Sequence, residues 1–198
     1  EPWHTLAFTY PPSWKSDTTA ATPENEIPGT SPQTKILWSL TDDSDIGSAA
    51  IADTTTGTVV YANTKGIVKA VRLENGEPLW ATPTQGKIFS TPCLANQKVY
   101  IGSTDRNVYC MDLHTGEILW KYPTGKSIVA SPVVLNDVVY IGGSDNTFRA
   151  LDAKDGTLLW EYDKIQGFME SRPYADTFQV VTGSWGNELY SFHPKTGE

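Results

Sequence analysis

Short apolar runs separated by turn residues fill most of this 198-residue chain. The runs are rich in Val, Ile, Tyr and Leu, and pairs such as Asn-Asp, Thr-Gly and Asp-Gly separate them. Such runs predict β-strands joined by tight turns. No segment keeps a helical period over the roughly 10–12 residues that a helix prediction needs. The pattern therefore predicts an all-β protein.

The pattern repeats about every 40 residues, and two residue types mark the period. The tryptophans that mark it are Trp38, Trp80, Trp120 and Trp160. The glycines that mark it are Gly76, Gly116, Gly156 and Gly197. Four strands in about 40 residues match one blade of a β-propeller. We therefore predict a propeller built of four-stranded blades, with four units at about 46–82, 88–122, 128–162 and 168–198.

The marker residues have structural roles in this prediction. Each glycine lies in the turn before the outermost strand of its blade, where a positive φ favours a residue without a Cβ. The tryptophan lies on that outer strand, four residues after the glycine in the first three units. Its flat ring can cover the gap between neighbouring blades, and its N–H can reach a backbone carbonyl. We expect these residues to dock the blades together.

The repeat pattern begins with an outer strand and ends before an outer strand. Residues 35–40 have the pattern of an outer strand without a blade, and unit 168–198 stops before its own outer strand. Joining Glu198 to Ile36 reproduces the sequence Thr-Gly-Glu-Ile-Leu-Trp of residues 115–120. We therefore expect strand 35–40 to be able to close the last blade. Three arrangements stay open: half of a longer seven- or eight-bladed ring, two copies paired into an eight-bladed ring, or one copy closed as four blades.

Residues 1–34 do not match the repeat. Residues 1–14 carry several aromatic side chains, and residues 18–33 are rich in Thr, Ala, Pro and Glu. The second composition is typical of a linker. We expect an N-terminal extension and linker that would join the propeller, over 35–198, to an upstream domain in a longer protein.

The charge balance narrows the range of partners. The formal net charge is −8 at pH 7. Binding to nucleic acid needs clustered Lys and Arg for the phosphates, so a nucleic-acid partner is disfavoured. No apolar run approaches the roughly 20 residues of a membrane helix. We therefore expect neither a nucleic-acid partner nor a transmembrane helix.

The stretches around the marker glycines share the form Ala-x-Asp-x-x-Thr-Gly-x-x-x-Trp. Residues 110–120 match it with only Cys for Ala, and residues 150–160 match it with only Asp155 for Thr. This form resembles the tryptophan-docking motif of the pyrroloquinoline-quinone-like propeller repeats, over about residues 35–198. That family includes quinoprotein dehydrogenases, the outer-membrane β-barrel assembly lipoprotein, and propellers fused to phosphoesterases or kinases. The resemblance implies the fold and leaves the function open.

The resemblance implies that a dehydrogenase would hold its quinone and a calcium ion in the central funnel, in many members beside two adjacent cysteines. Cys93 and Cys110 are not adjacent. On strands two apart in one blade they would lie about 9–10 Å apart, too far for a disulfide. Asp42, Asp43 and Asp45 form an acidic cluster without the spacing of a calcium loop, and whether it binds a cation stays open. We predict no catalytic residue, no metal site and no cofactor, with pyrroloquinoline quinone and calcium only under the dehydrogenase alternative.

The fourth unit departs from the other three at its inner strand. Glu170 and Arg172 stand there among positions that are small in the other units, and Trp185 is an extra aromatic in a turn of the same blade. Two residues that are two apart on a strand face the same side. These side chains form either a recognition spot in or beside the central channel, or a local ion pair next to a surface indole.

From these observations we expect a non-enzymatic scaffold or interaction module that binds a protein or peptide, for instance by strand addition to an exposed edge. The alternatives are a fragment of a quinone-dependent dehydrogenase and an accessory propeller of a larger enzyme such as a phosphoesterase. Half-rings would also associate with one another through their exposed edges. The resemblance implies a periplasmic or extracellular location.

Overall fold

The structure, a computed structural model, describes residues 35–198, and the predicted extension and linker at 1–34 lie outside the described residues. Fifteen strands form four antiparallel sheets, which we call blades 1 to 4 in chain order. Blade 1 contains β1 (Ile51–Asp53), β2 (Thr58–Ala62), β3 (Ile67–Arg72) and β4 (Pro78–Pro83). Blade 2 contains β5 (Cys93–Ala95), β6 (Lys98–Ser103), β7 (Asn107–Asp112) and β8 (Ile118–Pro123). Blade 3 contains β9 (Val133–Leu135), β10 (Val138–Gly142), β11 (Phe148–Asp152) and β12 (Leu158–Tyr162). Blade 4 contains β13 (Tyr174–Ala175), β14 (Val180–Gly183) and β15 (Leu189–Phe192).

The predicted all-β fold of propeller blades is thus confirmed. Within each blade the strands are paired in chain order. The second strands of blades 1 to 3 are almost wholly buried, whereas the outer strands alternate exposed and covered residues. Neighbouring blades cover both faces of blades 2 and 3, and Trp38 and Leu40 cover the free face of blade 1. The hairpins Asn96-Gln97 and Asn136-Asp137 have positive φ at both residues, which is the geometry of a type I′ turn. No helix that could cross a membrane occurs within residues 35–198.

The hydrophobic core is divided into layers between consecutive blades. Between blades 2 and 3, Tyr100 and Trp120 pack against Val139, Ile141 and Leu151. Similar layers join blade 1 to blade 2 and blade 3 to blade 4. Each fully buried large side chain contributes about 1.5–3 kcal/mol of transfer free energy. The packing of one blade on the next therefore stabilises the molecule, in addition to the strand pairing within each sheet.

Each repeat tryptophan lies on the turn that follows the third strand of the next blade. The indole N–H donates a hydrogen bond of 2.8 to 3.3 Å, the acceptors in chain order being the carbonyls of Leu73, Leu113, Ala153 and Pro194. The ring packs over the glycine of that turn. At Gly156, where φ is +79°, an added Cβ would lie 2.7 Å from Cε3 of Trp120. The spacing of Trp and Gly along the sequence therefore corresponds to blade-to-blade contacts.

Blade 4 has three strands, and β15 has no partner on its outer side among residues 35–198. The inner strands pack on one another in the order β1, β5, β9, β13. The segment 35–40, which we predicted as the closing strand, lies in no strand of the structure. Trp38 lies on blade 1, at the other end of this series, and the ladder expected between this segment and blade 4 is not formed. The structure thus shows an arc of three complete blades and one incomplete blade.

Candidate functional site

The connections between blades and the turns between second and third strands lie at one end of the blades, which we call the entry rim. An antiparallel series of strands brings these two kinds of loop together, because the chain returns to the same end after every second strand. In blade 4 a backbone hydrogen bond of 3.0 Å from Trp185 N–H to Phe168 O joins them. Glu170 and Trp185, two of the predicted binding residues, lie on this rim.

In blades 2 and 3 a carboxylate closes the entry rim. Asp145 accepts hydrogen bonds of 3.0 and 2.7 Å from the two terminal nitrogens of Arg149, and one of 3.0 Å from the backbone N–H of Gly125. Burial opposes the ionisation of Asp145, but these donors outweigh it and hold its pKa below the ordinary value. Asp105 accepts in the same way from Tyr109 and from the backbone N–H of Gln85. Both carboxylates are fully engaged within the protein, so we assign them a structural role.

Blade 4 has Gly186 where blades 2 and 3 have the carboxylate, and an aromatic pair lies beside it. The ring of Trp185, the residue before this glycine, stacks on Phe168 with centroids 5.6 Å apart and an interplanar angle of 28°. Trp185 is 66% exposed and Phe168 is 40% exposed. The indole N–H of Trp185 donates to Oε2 of Glu170 at 3.0 Å. These three side chains, which we call the aromatic platform, form an exposed apolar surface beside a carboxylate.

A shallow cleft of about 500 Å³ adjoins the platform. Its walls include Glu170, Ser184, Trp185 and Asn187. The platform and the cleft therefore offer a stacking surface, a carboxylate and the Asn187 amide within one open depression, while the Ser184 hydroxyl donates to the carbonyl of Gln166. An arrangement of this kind suits the side chains of a peptide better than it suits a buried small molecule, because the cleft does not enclose its occupant.

Arg172 does not belong to the aromatic platform. Its Nη2 donates to the carbonyl of Pro92 in blade 2 at 2.9 Å, so its side chain joins blade 4 to the inner side of blade 2. The interpretation of Glu170 and Arg172 as a local ion pair is wrong, because each has a different partner in the structure. Residues 170–173 precede β13 and lie in no strand, so the expectation that both side chains face one side does not hold.

Two carboxylates of the acidic cluster at residues 42–45, those of Asp42 and Asp43, are paired with lysines of the same chain. Asp42 accepts hydrogen bonds from Lys69, Tyr61 and Asn63, and its side chain is almost fully buried. Burial opposes its ionisation, but the ammonium of Lys69 and the neutral donors hold the pKa of Asp42 well below its usual range. Burial and the hydrogen bond to Asp42 raise the pKa of Tyr61 to about 12. Asp43 pairs with Lys65 at 2.8 Å.

Both cysteines are free thiols, as their predicted separation required. Cys110 is buried on β7, and Cys93 is half-buried on β5. Burial raises the pKa of Cys110 to about 12 and that of Cys93 above its ordinary value. Since the thiolate is the nucleophile, neither residue is activated for nucleophilic chemistry at neutral pH.

Sequence reasoning found Glu170 and Trp185 but missed their partner Phe168. The signal was present in the repeat, because alignment on Pro92, Pro132 and Pro173 places Phe168 at the exposed or half-buried position of Lys87 and Ser127. Reading Phe168 as an ordinary strand residue hid its exposure. Sequence reasoning also passed over Asp105 and Asp145, whose shared turn position shows what blade 4 has lost.

A family model described as "Outer membrane protein assembly factor BamB" matches residues 64–198, which is more than half of the chain. The chain belongs to this family. None of the curated protein sequences matches this BamB-family chain.

Solved structures resemble this BamB-family chain at low sequence identity. BamB from Moraxella catarrhalis is 21% identical with a TM-score of 0.72, over 82% of this chain and 51% of that one. The computationally designed Ika4 protein is 21% identical with a TM-score of 0.73, over 81% of this chain and 99% of that one. The quinohemoprotein alcohol dehydrogenase ADHIIG from Pseudomonas putida HK5 is 17% identical with a TM-score of 0.67, over 83% of this chain and 35% of that one. These likenesses show the fold alone, and the chain spans about half the length of the Moraxella protein.

The dehydrogenase likeness calls for a test of the donor groups. Within residues 35–198 no three or more His, Cys, Asp or Glu side chains are grouped so that they could hold a metal ion. The acidic residues nearest to such a group, Asp42 and Asp43, are paired with lysines. The described part of this BamB-family chain therefore does not present the carboxylate-rich site that calcium prefers.

Proposed function

We propose that this chain is a non-enzymatic propeller module that binds a protein or peptide segment at the aromatic platform of blade 4. The observation that carries the proposal is the exposed stack of Phe168 and Trp185 on the rim turn of blade 4, which has a glycine where the same turn of blades 2 and 3 has an engaged carboxylate. Membership in a family described as an outer-membrane assembly factor supports an interaction role and an extracytoplasmic location.

The chemistry of the platform defines the partner it would accept. Exposed tryptophan rings bind apolar side chains, and they attract Lys and Arg through the cation–π interaction. One carboxylate oxygen of Glu170 accepts the hydrogen bond from Trp185, and the other can accept a hydrogen bond from the partner. The net charge of −8 favours a cationic segment through long-range attraction. The fitting partner is therefore a peptide segment that combines an aromatic or aliphatic residue with a Lys or Arg.

The experiment is a selection of phage-displayed peptides on the immobilised chain, with Trp185→Ala as the counter-selection surface. Calorimetry then measures the affinity of each enriched peptide. We expect basic–apolar peptides, and we expect Trp185→Ala to weaken them at least about 10-fold, as truncation of a central interface tryptophan does. Glu170→Gln should weaken only the peptides that contain Lys or Arg.

The matched control is Phe178→Ala. Phe178 is 81% exposed in blade 4 and lies in the turn between β13 and β14, at the end opposite to the entry rim. Its truncation should leave the affinities unchanged. Enriched peptides that bind Trp185→Ala and the wild type equally would contradict the proposed site.

The dehydrogenase alternative has a direct test of its own. Native mass spectrometry of the chain with pyrroloquinoline quinone and calcium would show a stoichiometric mass gain if this alternative were right. The proposed function expects no gain. An accessory role within a larger enzyme is compatible with the same peptide site, and it would be decided by the partner that the site selects.

A further inference from the structure

The face of blade 4 that points away from blade 3 is open. In blade 3 the matching face is buried, its members being Tyr140, Phe148 and Ala150. The strand registers place Val181 and Ser191 opposite each other in blade 4, as Tyr140 and Ala150 are in blade 3. Leu189, at the position of Phe148, is 76% exposed. Within residues 35–198, blade 4 thus has neither an outer strand nor a neighbouring blade that covers this face.

The turn that should lead into the missing outer strand is nevertheless formed. Gly197 N–H donates to His193 O at 2.9 Å, and His193 N–H donates to Glu198 O at 2.7 Å. The same two bonds occur in the turns of the other blades, for example between Gly156, Asp152 and Thr157. Trp160 lies on this turn as the other tryptophans lie on theirs. The chain is therefore shaped to continue into an outer strand beside β15.

At the other end of the arc, residues 36–41 have the pattern of an outer strand but belong to no sheet. Residues 36–41 alternate exposed and half-buried positions in the same order as β4 of blade 1. Trp38 and Leu40 pack on Val59, Tyr61 and Val71 of blade 1, as Trp120 and Tyr122 of β8 pack on blade 3. The segment thus already occupies the place of an outer strand relative to the blade that follows it.

We propose that residues 36–41 of one copy of this chain complete blade 4 of a second copy, and that two such seams close a ring of eight blades. Thr196-Gly197-Glu198 followed by Ile36-Leu37-Trp38 repeats residues 115–120, which form the same turn and strand in blade 2. The occupant is a second copy because, within the single chain, residues 36–41 form no ladder with β15 and the face of blade 4 stays open. The proposal is independent of the aromatic platform.

The pairing within the seam follows from blade 3. There Ala150 pairs with Trp160, and Phe148 pairs with Tyr162. The equivalent pairs across the seam are Ser191 with Trp38, and Leu189 with Leu40. Two identical seams related by a twofold axis leave no free edge, so the assembly closes at two copies. The aligned part of one copy covers 51% of the Moraxella protein, so the aligned parts of two copies together span about its length.

A cysteine experiment distinguishes this arrangement from closure of one chain. Residues directly opposite on paired strands have Cβ atoms about 4.5–5.5 Å apart, close enough for a disulfide to form with small adjustments. Leu40→Cys and Leu189→Cys are prepared as separate proteins, mixed and oxidised. We expect a reduction-sensitive species at twice 21.7 kDa from the mixture and none from either variant alone. The double variant should give the same doubled mass.

Each other outcome would overturn the proposal. A double variant that forms its disulfide without mass doubling would show closure as four blades. A ladder of larger species would show open chains of copies. Mixed variants that stay monomeric at every concentration, without cross-linking, would show that the edge of β15 pairs with no second copy.

A surface variant supplies an independent readout by native mass spectrometry. Leu189→Asp should weaken the two-copy species at least about 10-fold, because it places a charge in the seam. Phe178→Asp is the matched control, since it adds the same charge to an exposed residue of blade 4 outside the seam, and it should leave the association unchanged. Trp185→Ala should also leave it unchanged, so failure of the peptide site and failure of the seam are separable.

Discussion

Blades 3 and 4 contain the same repeat, but one is buried between neighbours and the other ends the arc. Phe148 of blade 3 is fully buried and packs against Trp160 and Phe192. Leu189, its counterpart in blade 4, is mostly exposed. The comparison teaches that the strand pattern determines the sheet, whereas the next blade determines whether a sheet becomes part of the core.

The same comparison holds on the entry rim. Blade 3 closes its rim with Asp145, which binds Arg149 and the backbone of the preceding loop. Blade 4 has Gly186 at that position, and the ring of the preceding Trp185 stays exposed. A rim that is internally satisfied has no free group for a partner, while the blade 4 rim keeps apolar surface and a carboxylate. The candidate site therefore lies on blade 4, whose rim and outer face have fewer partners within the chain than those of blade 3.

The largest expected effect is on the free energy of unfolding, when two equivalent side chains are truncated, one on the buried face of blade 3 and one on the open face of blade 4. Phe148→Ala should lower the free energy of unfolding by about 3–5 kcal/mol, because it empties a packed layer between blades. Leu189→Ala should change it by less than about 0.5 kcal/mol in the isolated chain, as an exposed surface substitution does. Urea unfolding followed by tryptophan fluorescence, at a protein concentration low enough to keep single copies, measures both.

Leu189→Ala repeated at high protein concentration sharpens this comparison. There the wild type should gain stability from the second copy, and the variant should gain less. An equally large loss for Leu189→Ala and Phe148→Ala at low concentration would mean that one chain covers its own blade 4 face.

The next effect concerns the carboxylate of the blade 3 rim. Asp145→Asn should cost about 2–3 kcal/mol at pH 7, because it removes charge-assisted hydrogen bonds from a buried group. The folded pKa of Asp145 is lowered, so its stabilisation is present above the unfolded value of about 3.9 and is lost as the pH falls through the folded pKa. The difference between wild type and variant should therefore shrink as the pH falls below about 4.

Urea unfolding of both proteins at pH 7 and at pH 3 gives this difference. Asp163→Asn, on the exposed loop after β12, is the matched control and should change little at either pH. A constant difference between the two pH values would show that Asp145 contributes through packing and not through its charge.

Much of the fold was predictable because it depends on local and repeated signals. The period of Trp80, Trp120 and Trp160, with a turn glycine in each unit, defined the blades and their number. The same logic failed for residues 35–40, because strand pattern alone does not supply a partner edge. It failed for Arg172 as well, since the short β13 leaves residues 170–173 outside the ladder and frees the side chain to reach Pro92. Exposure of Phe168 follows from its place on the entry rim, where its counterpart Lys87 is exposed as well, and an aromatic residue type alone does not record that place.

The smallest expected effect tests how firmly the docking turns of the two blades are held. Gly156 and Gly197 have φ of +79° and +74°, and an added Cβ at either would lie 2.7 Å from the ring of the docked tryptophan. Gly156→Ala should cost about 1–2 kcal/mol, because the left-handed conformation is strained and Trp120 is fixed between two complete blades. Gly197→Ala should cost less, since its turn adjoins the unpaired β15 and can move away from Trp160. Urea unfolding at low protein concentration compares the two variants. Equal costs would mean that an outer strand already supports the turn of blade 4 in the single chain, and the contrast between the two blades would then be one of exposure alone.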